Sequence, residues 1–299
     1  MSIAATVVIA LFGIVFGLAS GSFSIMFDGV YSLLDASMSV LALLVVNLIA
    51  SYSASAGLSR RLHERFTMGF WHLEPIVLGL NGTMLIGVSV YALINALSSL
   101  LGEGRDLAFG WAIVYAAVTL PTCILMVAVE RRANRRIKSE FVQLDGQSWM
   151  ISGCITAALL VAFCIGFGVQ GTEWEWISPY IDPAVLALVC IVIIPIPIAT
   201  VRQALSDILL LTPQDLKQHV DAVAQAFVTK YGLVTYRAYV ARVGRSREIE
   251  LYFIVPVDAP ARTIAQWDAL RDEVGEALGP DSSDRWLTIV FTGDMEWAD

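Results

Sequence analysis

Residues 28–35 read Asp28-Gly-Val-Tyr31-Ser-Leu-Leu-Asp35, and residues 145–152 read Asp145-Gly-Gln-Ser148-Trp-Met-Ile-Ser152. In both stretches the polar side chains recur at positions i, i+3 and i+7, which lie on one face of a helix. Both stretches also open a long apolar segment, and carboxylates inside a membrane span are costly unless they face a pathway or an ion. Two such polar faces in corresponding halves of a chain are typical of an internally repeated transporter.

The repeated pattern has a simpler explanation, in which each Asp-Gly pair caps the start of a helix. Capping accounts for Asp28 and Asp145, because Asp is a favoured residue at the N-cap. It does not account for Asp35, which would lie two helical turns inside the apolar segment. The sequence favours a polar site within the membrane over two capped helix starts, and both interpretations stay open at this point.

Composition indicates an integral membrane protein. Hydrophobic residues make up 57% of the 299 residues and charged residues only 15%, whereas about 25% is usual for a soluble domain. Each apolar segment has about the 20 residues that a membrane-spanning helix needs, or somewhat more. Six segments are predicted, near residues 3–20, 24–50, 74–101, 109–129, 143–168 and 181–203.

Loop charge predicts how these segments are oriented. The connections at residues 59–65 and 131–138 are basic, and the connections on the other side carry mainly Asp and Glu. Basic loops face the cytoplasm, so we expect both termini there, in a multi-pass protein of an inner or plasma membrane. The lipid bilayer is thus one expected partner, while the net charge of −8 argues against nucleic acid, which needs a basic surface.

The chain changes character after Pro213, where short amphipathic segments replace the long apolar ones. Residues 248–255 alternate strictly between polar and apolar side chains, which predicts a half-buried strand. The full set of elements is a helix at 214–231, strands near 234–243 and 248–255, a helix near 261–278 and a strand near 286–292. This αββαβ order predicts a small α+β domain at residues 209–299, following an all-α, six-helix transmembrane domain at residues 1–208.

Taken in order, these motifs resemble those of the cation diffusion facilitator, or cation efflux, family of divalent-metal transporters. The resemblance covers nearly the whole chain. It is carried by four stretches, which match the family's second, third, fifth and sixth helices: Phe27–Asp35, Gly69–Pro75, Asp145–Ser152 and Asp182-Pro183.

The resemblance implies more than the residues show by themselves. It implies a ferredoxin-like cytoplasmic domain, a homodimer, and export of a divalent cation from the cytoplasm in exchange for protons. No cofactor is expected apart from the transported cation. The absence of a nucleophile–base pairing and of a phosphate-binding loop gives no reason to expect an enzyme.

The chain departs from the family at the transport site, which usually takes two side chains from helix 2 and two from helix 5. The resemblance places Tyr31, Asp35, Ser148 and Ser152 there, and only Asp35 is a strong ligand. Zinc favours sites built from His and Cys, whereas oxygen ligands suit magnesium, manganese and, less strongly, ferrous iron. The resemblance favours iron or manganese further, because some members thought to handle iron carry a Tyr at the first position. Zinc and cobalt stay open.

Asp145 offers a second carboxylate for a shifted site. If helices 2 and 5 run antiparallel in the alignment that the resemblance implies, Asp35 lies near the height of Ser148. Asp145 then lies one turn further toward the cytoplasm, roughly 4–5 Å along the axis. We therefore predict a metal site made by Asp35 and Asp145, with Tyr31 and Ser148 as weaker ligands.

Asp28 belongs to the same face but lies farther away. Seven residues separate it from Asp35, which corresponds to roughly 10 Å along a helix. We expect Asp28 nearer the outer exit, together with Ser152. Since no imidazole is present at these positions, proton exchange would depend on the carboxylates.

The altered positions also allow a different class of function. A protein that keeps the transporter fold but has lost transport could serve as a partner or regulatory subunit of an active relative. Retention of Asp28, Asp35 and Asp145 favours transport, because an idle site should lose such costly charges.

Two local features of the sixth segment have structural explanations. Asp182 precedes Pro183 and is predicted to cap a helix that begins there. Pro195 and Pro197 are predicted to bend the segment, because proline interrupts helical hydrogen bonding.

Overall fold

The computed structural model describes residues 2–53, 66, 69–137, 140–244, 246–282 and 284–299. Side chains are described at these positions apart from residues 2, 52–53, 136–137, 140–145 and 147. The helices of the apolar part are α1 (Ser2–Ser20), α2 (Phe23–Ser53), α3 (Leu73–Leu101), α4 (Phe109–Ile137), α5 (Glu140–Val169), α6 (Ser178–Ile193) and α7 (Ile196–Ile208).

Among the described residues, six stretches of helix are long and apolar enough to cross a bilayer, with α6 and α7 together forming the sixth. They correspond to the six predicted segments and confirm a multi-pass membrane protein. Large apolar side chains such as Leu18, Ile94 and Val161 are exposed on these helices, as expected for surfaces that face lipid. The basic connection at residues 59–65, on which the predicted orientation partly depends, lies outside the described residues.

The sixth span is broken, as its prolines predict. Helix α6 ends at Ile193 and α7 begins at Ile196, so the interruption falls at Ile194 and Pro195. A proline lacks the N–H group that would continue the helical ladder.

Helices α1 and α2 pack through glycines, with their backbones in contact. A Cβ added at Gly29 would lie 2.7 Å from the carbonyl oxygen of Ala10, and one added at Gly17 would lie 2.6 Å from the Met26 nitrogen. These distances are too short for any side chain, so this contact requires glycine, as at small-residue interfaces between membrane helices.

The capping interpretation of the two Asp-Gly pairs is wrong. Helix α2 begins at Phe23, five residues before Asp28, and the described part of α5 begins five residues before Asp145. Both Asp residues therefore lie inside helices. Gly29, the partner of Asp28 in the first pair, serves the contact with α1 instead of a turn.

The C-terminal region forms the predicted αββαβ domain. Its elements are α8 (Gln214–Tyr231), β1 (Thr235–Val243), β2 (Ser246–Ile254), α9 (Ile264–Ala277) and β3 (Arg285–Thr292). The mixed sheet has the order β1-β2-β3, in which β2 is antiparallel to β1 and parallel to β3. Its core is made by apolar side chains of the sheet and both helices, among them Val220, Phe227, Leu251, Phe253 and Val274.

Contacts divide the chain into two compact units. One comprises residues 1–42 and 80–201, and the other comprises residues 43–79 and 202–299. The first unit holds the polar faces of α2 and α5, and the second holds the C-terminal domain. The predicted domain boundary between residues 208 and 209 stays a prediction.

Candidate functional site

A cavity of about 290 Å³ lies among the helices of the first unit. It is bordered by α1, α2, α3 and α5 and by the two halves of the broken sixth span. Five of the six predicted site residues line it: Asp28, Tyr31 and Asp35 from α2, and Ser148 and Ser152 from α5. The structure thus brings the two polar faces of the repeated pattern around one space.

The α2 side of the cavity is one face of the helix. Asp28 is buried, and Tyr31 and Asp35 are half-buried. Phe27 packs on Tyr31 with a ring-centroid distance of 5.7 Å, which restricts the orientation of the phenol. The spacing of three and then four residues keeps all three polar groups on the same side.

Asp28 is tied to α4 by a buried hydrogen bond. The hydroxyl of Tyr115 donates to Asp28 Oδ2 at 2.7 Å, and the Tyr115 side chain is fully buried. Phe12 of α1 stacks on the Tyr115 ring at 5.8 Å. The donor is a neutral hydroxyl, so this contact leaves the charge of an ionised Asp28 available to a cation.

Asp145 is the sixth predicted site residue. Its backbone belongs to α5, but its side chain lies outside the described side chains. The shifted site made by Asp35 and Asp145 therefore stays a prediction.

Sequence reasoning missed Asn81, which lines the cavity from α3. The side chain is half-buried, and its Oδ1 is buried with no hydrogen-bond donor among the described residues. Asn81 belongs to no repeated pattern, which explains why spacing alone did not identify it. The available signal was an amide inside an apolar span, where polar groups are uncommon.

Asp182 has a different role from the predicted one. Helix α6 begins at Ser178, so Asp182 is not its N-cap. Its carboxylate instead caps α2, accepting hydrogen bonds from the Ser22 hydroxyl at 2.6 Å and from the Phe23 N–H at 3.0 Å. An anion is favoured at a helix N-terminus because the free N–H groups and the helix dipole point toward it.

Ser24 strengthens the same connection by donating its hydroxyl to the Asp182 carbonyl at 3.0 Å. Asp182 and Ser22 are each about 1% exposed. This buried cap fixes where α2 begins, and it thereby sets the height of Asp28 and Asp35 along the bundle.

Arg105, in the connection between α3 and α4, lies at the same end of the bundle. Its backbone N–H donates to the Pro179 carbonyl at 2.8 Å, and its guanidinium donates to Asn95 Oδ1 at 3.2 Å. The guanidinium also lies 4.7 Å from the centre of the Phe23 ring. The starts of α2 and α6 and the end of α3 are therefore linked at this end.

The cavity has the chemistry of a mixed oxygen site. Among the described residues, no group of three His, Cys, Asp or Glu side chains is placed to hold a metal ion. The cavity instead presents two carboxylates, a phenol, several Ser and Thr hydroxyls and an amide. Carboxylate, hydroxyl and amide oxygens suit hard cations, which usually keep part of their water shell.

Comparison with protein families gives one match. Residues 1–209 match the family model described as the cation efflux transmembrane domain. No curated protein matches the chain.

Proposed function

This chain belongs to the cation efflux family of membrane transporters, and we propose that it exports a divalent cation such as iron or manganese from the cytoplasm in exchange for protons. The observation that carries the proposal is the cavity, in which Asp28 and Asp35 of α2 line the same space as Ser148 and Ser152 of α5. Costly carboxylates inside a span indicate an ion pathway.

The lining of the cavity supports a cation that prefers oxygen. The described residues that border it include no His or Cys, which are the ligands that zinc prefers. Iron and manganese accept carboxylate and hydroxyl oxygens more readily. Zinc and cobalt belong in the test because the family resemblance does not separate them.

Proton exchange is assigned to the carboxylates of the cavity. Asp28 and Asp35 are the carboxylates of its described lining, and a carboxylate can hold either a proton or a cation. A cation that binds these groups replaces their protons, and its release returns the protons to them. Asp145 completes the proposed site as a second carboxylate near Asp35.

Topology and assembly are part of the same proposal. We place both termini and the C-terminal domain in the cytoplasm, because the end of α4 carries Arg131, Arg132 and Arg135. We also assign a homodimer, as the family resemblance implies.

A transport-inactive partner subunit is the second candidate. It is favoured by the weak ligands Tyr31, Ser148 and Ser152 at three of the four positions that usually hold the family's transport site. Such a protein would fold and associate with an active relative but move no ion.

Flux into proteoliposomes separates the two candidates. Purified protein would be tested with ferrous iron, manganese, zinc and cobalt under an acid-inside pH gradient, with Asp35→Ala as the site variant. Ser37→Ala is the matched control, because the Ser37 hydroxyl bonds the Leu33 carbonyl in its own helix and does not line the cavity.

We expect uptake by the parent and by the control, and its loss in Asp35→Ala. The ranking of the four ions would identify the substrate. Absence of uptake for every ion in folded parent protein would refute transport and favour the partner subunit.

A further inference from the structure

We propose that Asn81 is a specificity-determining ligand of the transported cation, supplying its carboxamide oxygen from α3. The inference rests on the transport function proposed above. It extends the site to a third helix, beyond the side chains of α2 and α5.

The oxygen of Asn81 has unused bonding capacity. An amide oxygen carries two lone pairs, and Asn81 Oδ1 is buried with no donor among the described residues. A buried acceptor without a partner has lost its water without regaining a hydrogen bond, which destabilises the protein. Buried polar groups of this kind call for an explanation such as an unfilled ion or water position. Asn81 lines the same cavity as Asp28 and Asp35, where a cation would complete its coordination.

The backbone of α3 is held firmly at this level. A Cβ added at Gly82 would lie 2.5 Å from Val201 Cγ2 of α7, so the two helices approach closely beside Asn81. Leu85, one turn further along α3, is buried. A ligand on a fixed backbone loses little conformational freedom on binding, which favours a defined coordination geometry.

The amide would also affect which cation is preferred. Asn carbonyl oxygens are ordinary ligands of hard cations, and a neutral oxygen adds a ligand without adding charge. Together with the carboxylates, Asn81 raises the number of oxygen ligands that manganese can use. Zinc gains less, since it prefers four ligands that include nitrogen or sulfur. Removing the amide should therefore weaken manganese binding more than zinc binding.

Equilibrium binding of Mn²⁺ and Zn²⁺ to the full-length protein in detergent tests this role. The variants are Asn81→Ala, Asn81→Asp and, as the matched control on α3, Ser89→Ala. The buried Ser89 hydroxyl donates to the Leu85 carbonyl at 2.7 Å and does not line the cavity. Ser89→Ala thus removes a polar group from the same helix without touching the site.

We expect Asn81→Ala to weaken Mn²⁺ binding by about tenfold, the low end of what loss of a supporting group costs a metal site. The affinity for Zn²⁺ should fall by less than about fivefold. Asn81→Asp should bind Mn²⁺ at least as tightly as the parent, because a carboxylate replaces the amide oxygen. Ser89→Ala should match the parent for both ions.

Equal losses for the two cations in Asn81→Ala would show a structural role only, and unchanged Mn²⁺ binding would overturn the proposal directly. If Asn81→Ala does not fold, Asn81→Asp decides: a Mn²⁺ affinity below that of the parent overturns the proposal. A folded parent that binds neither cation would refute the transport function itself. That outcome is distinct from failure of the variant alone.

Discussion

Removal of the Asp182 carboxylate should destabilise the protein by more than an ordinary helix cap would. Loss of a surface N-cap costs about 0.5–2 kcal/mol. Here the carboxylate accepts two close hydrogen bonds, from the Ser22 hydroxyl at 2.6 Å and the Phe23 N–H at 3.0 Å. Hydrogen bonds to a charged group contribute about 1.5–3 kcal/mol each.

The two bonds together set an upper range of roughly 3–6 kcal/mol. The Ser22 hydroxyl can rotate toward another acceptor, so we expect Asp182→Ala to lower the free energy of unfolding by about 3 kcal/mol. Asp182→Asn keeps one acceptor oxygen but loses the charge, so it should cost about 1–2 kcal/mol.

Denaturant unfolding in detergent micelles, followed by tryptophan fluorescence, measures these differences. Asp106→Asn is the matched control, because Asp106 is an exposed carboxylate at the same end of the bundle. It should stay within about 0.5 kcal/mol of the parent. If Asp182→Ala also stayed within that margin, the buried cap would not stabilise the start of α2.

Two further predictions concern Tyr115 and Glu248. Tyr115→Phe removes the donor to buried Asp28 and should lower the free energy of unfolding by about 1–3 kcal/mol. Tyr91→Phe, which alters an exposed ring of α3, is the control and should have little effect. Equal effects of the two substitutions would contradict the role of the hydrogen bond. In the C-terminal domain, burial and, to a lesser extent, the nearby charge of Glu250 raise the pKa of Glu248. The folded protein therefore holds the Glu248 proton more tightly than the unfolded chain does, so the parent should lose stability as the pH rises from the ordinary pKa of 4.5 through the folded pKa. Glu248→Gln should therefore melt at a higher temperature than the parent at neutral pH, and the difference should shrink toward pH 4. Thermal unfolding across this pH range measures it, and a difference in melting temperature that did not change with pH would contradict the expectation.

The sequence predicted the elements well because each has a local signal. Long apolar runs identify membrane helices whatever their partners are, and the alternation of Glu248, Ile249 and Glu250 identifies a half-buried strand. The helical spacing of Asp28, Tyr31 and Asp35 was likewise enough to place them on one face.

The contacts between helices could not be predicted in the same way. Nothing in the neighbourhood of Tyr115 or Asn81 indicates that they approach the α2 face, because that proximity depends on packing across the bundle. Asp182 was assigned wrongly for a related reason. An Asp followed by a Pro looks like a local N-cap, whereas its hydrogen bonds go to a helix that lies about 160 residues earlier in the chain.

The glycine contact between α1 and α2 has a mechanical consequence. Gly17 and Gly29 bring the two backbones into direct contact, so neither helix can slide along the other without first separating from it. In a transporter that opens alternately to the two sides of the membrane, α1 and α2 should move as one rigid body. Asp28 and Asp35 would then keep their mutual spacing during transport, and access to them would change through motion of the other walls of the cavity.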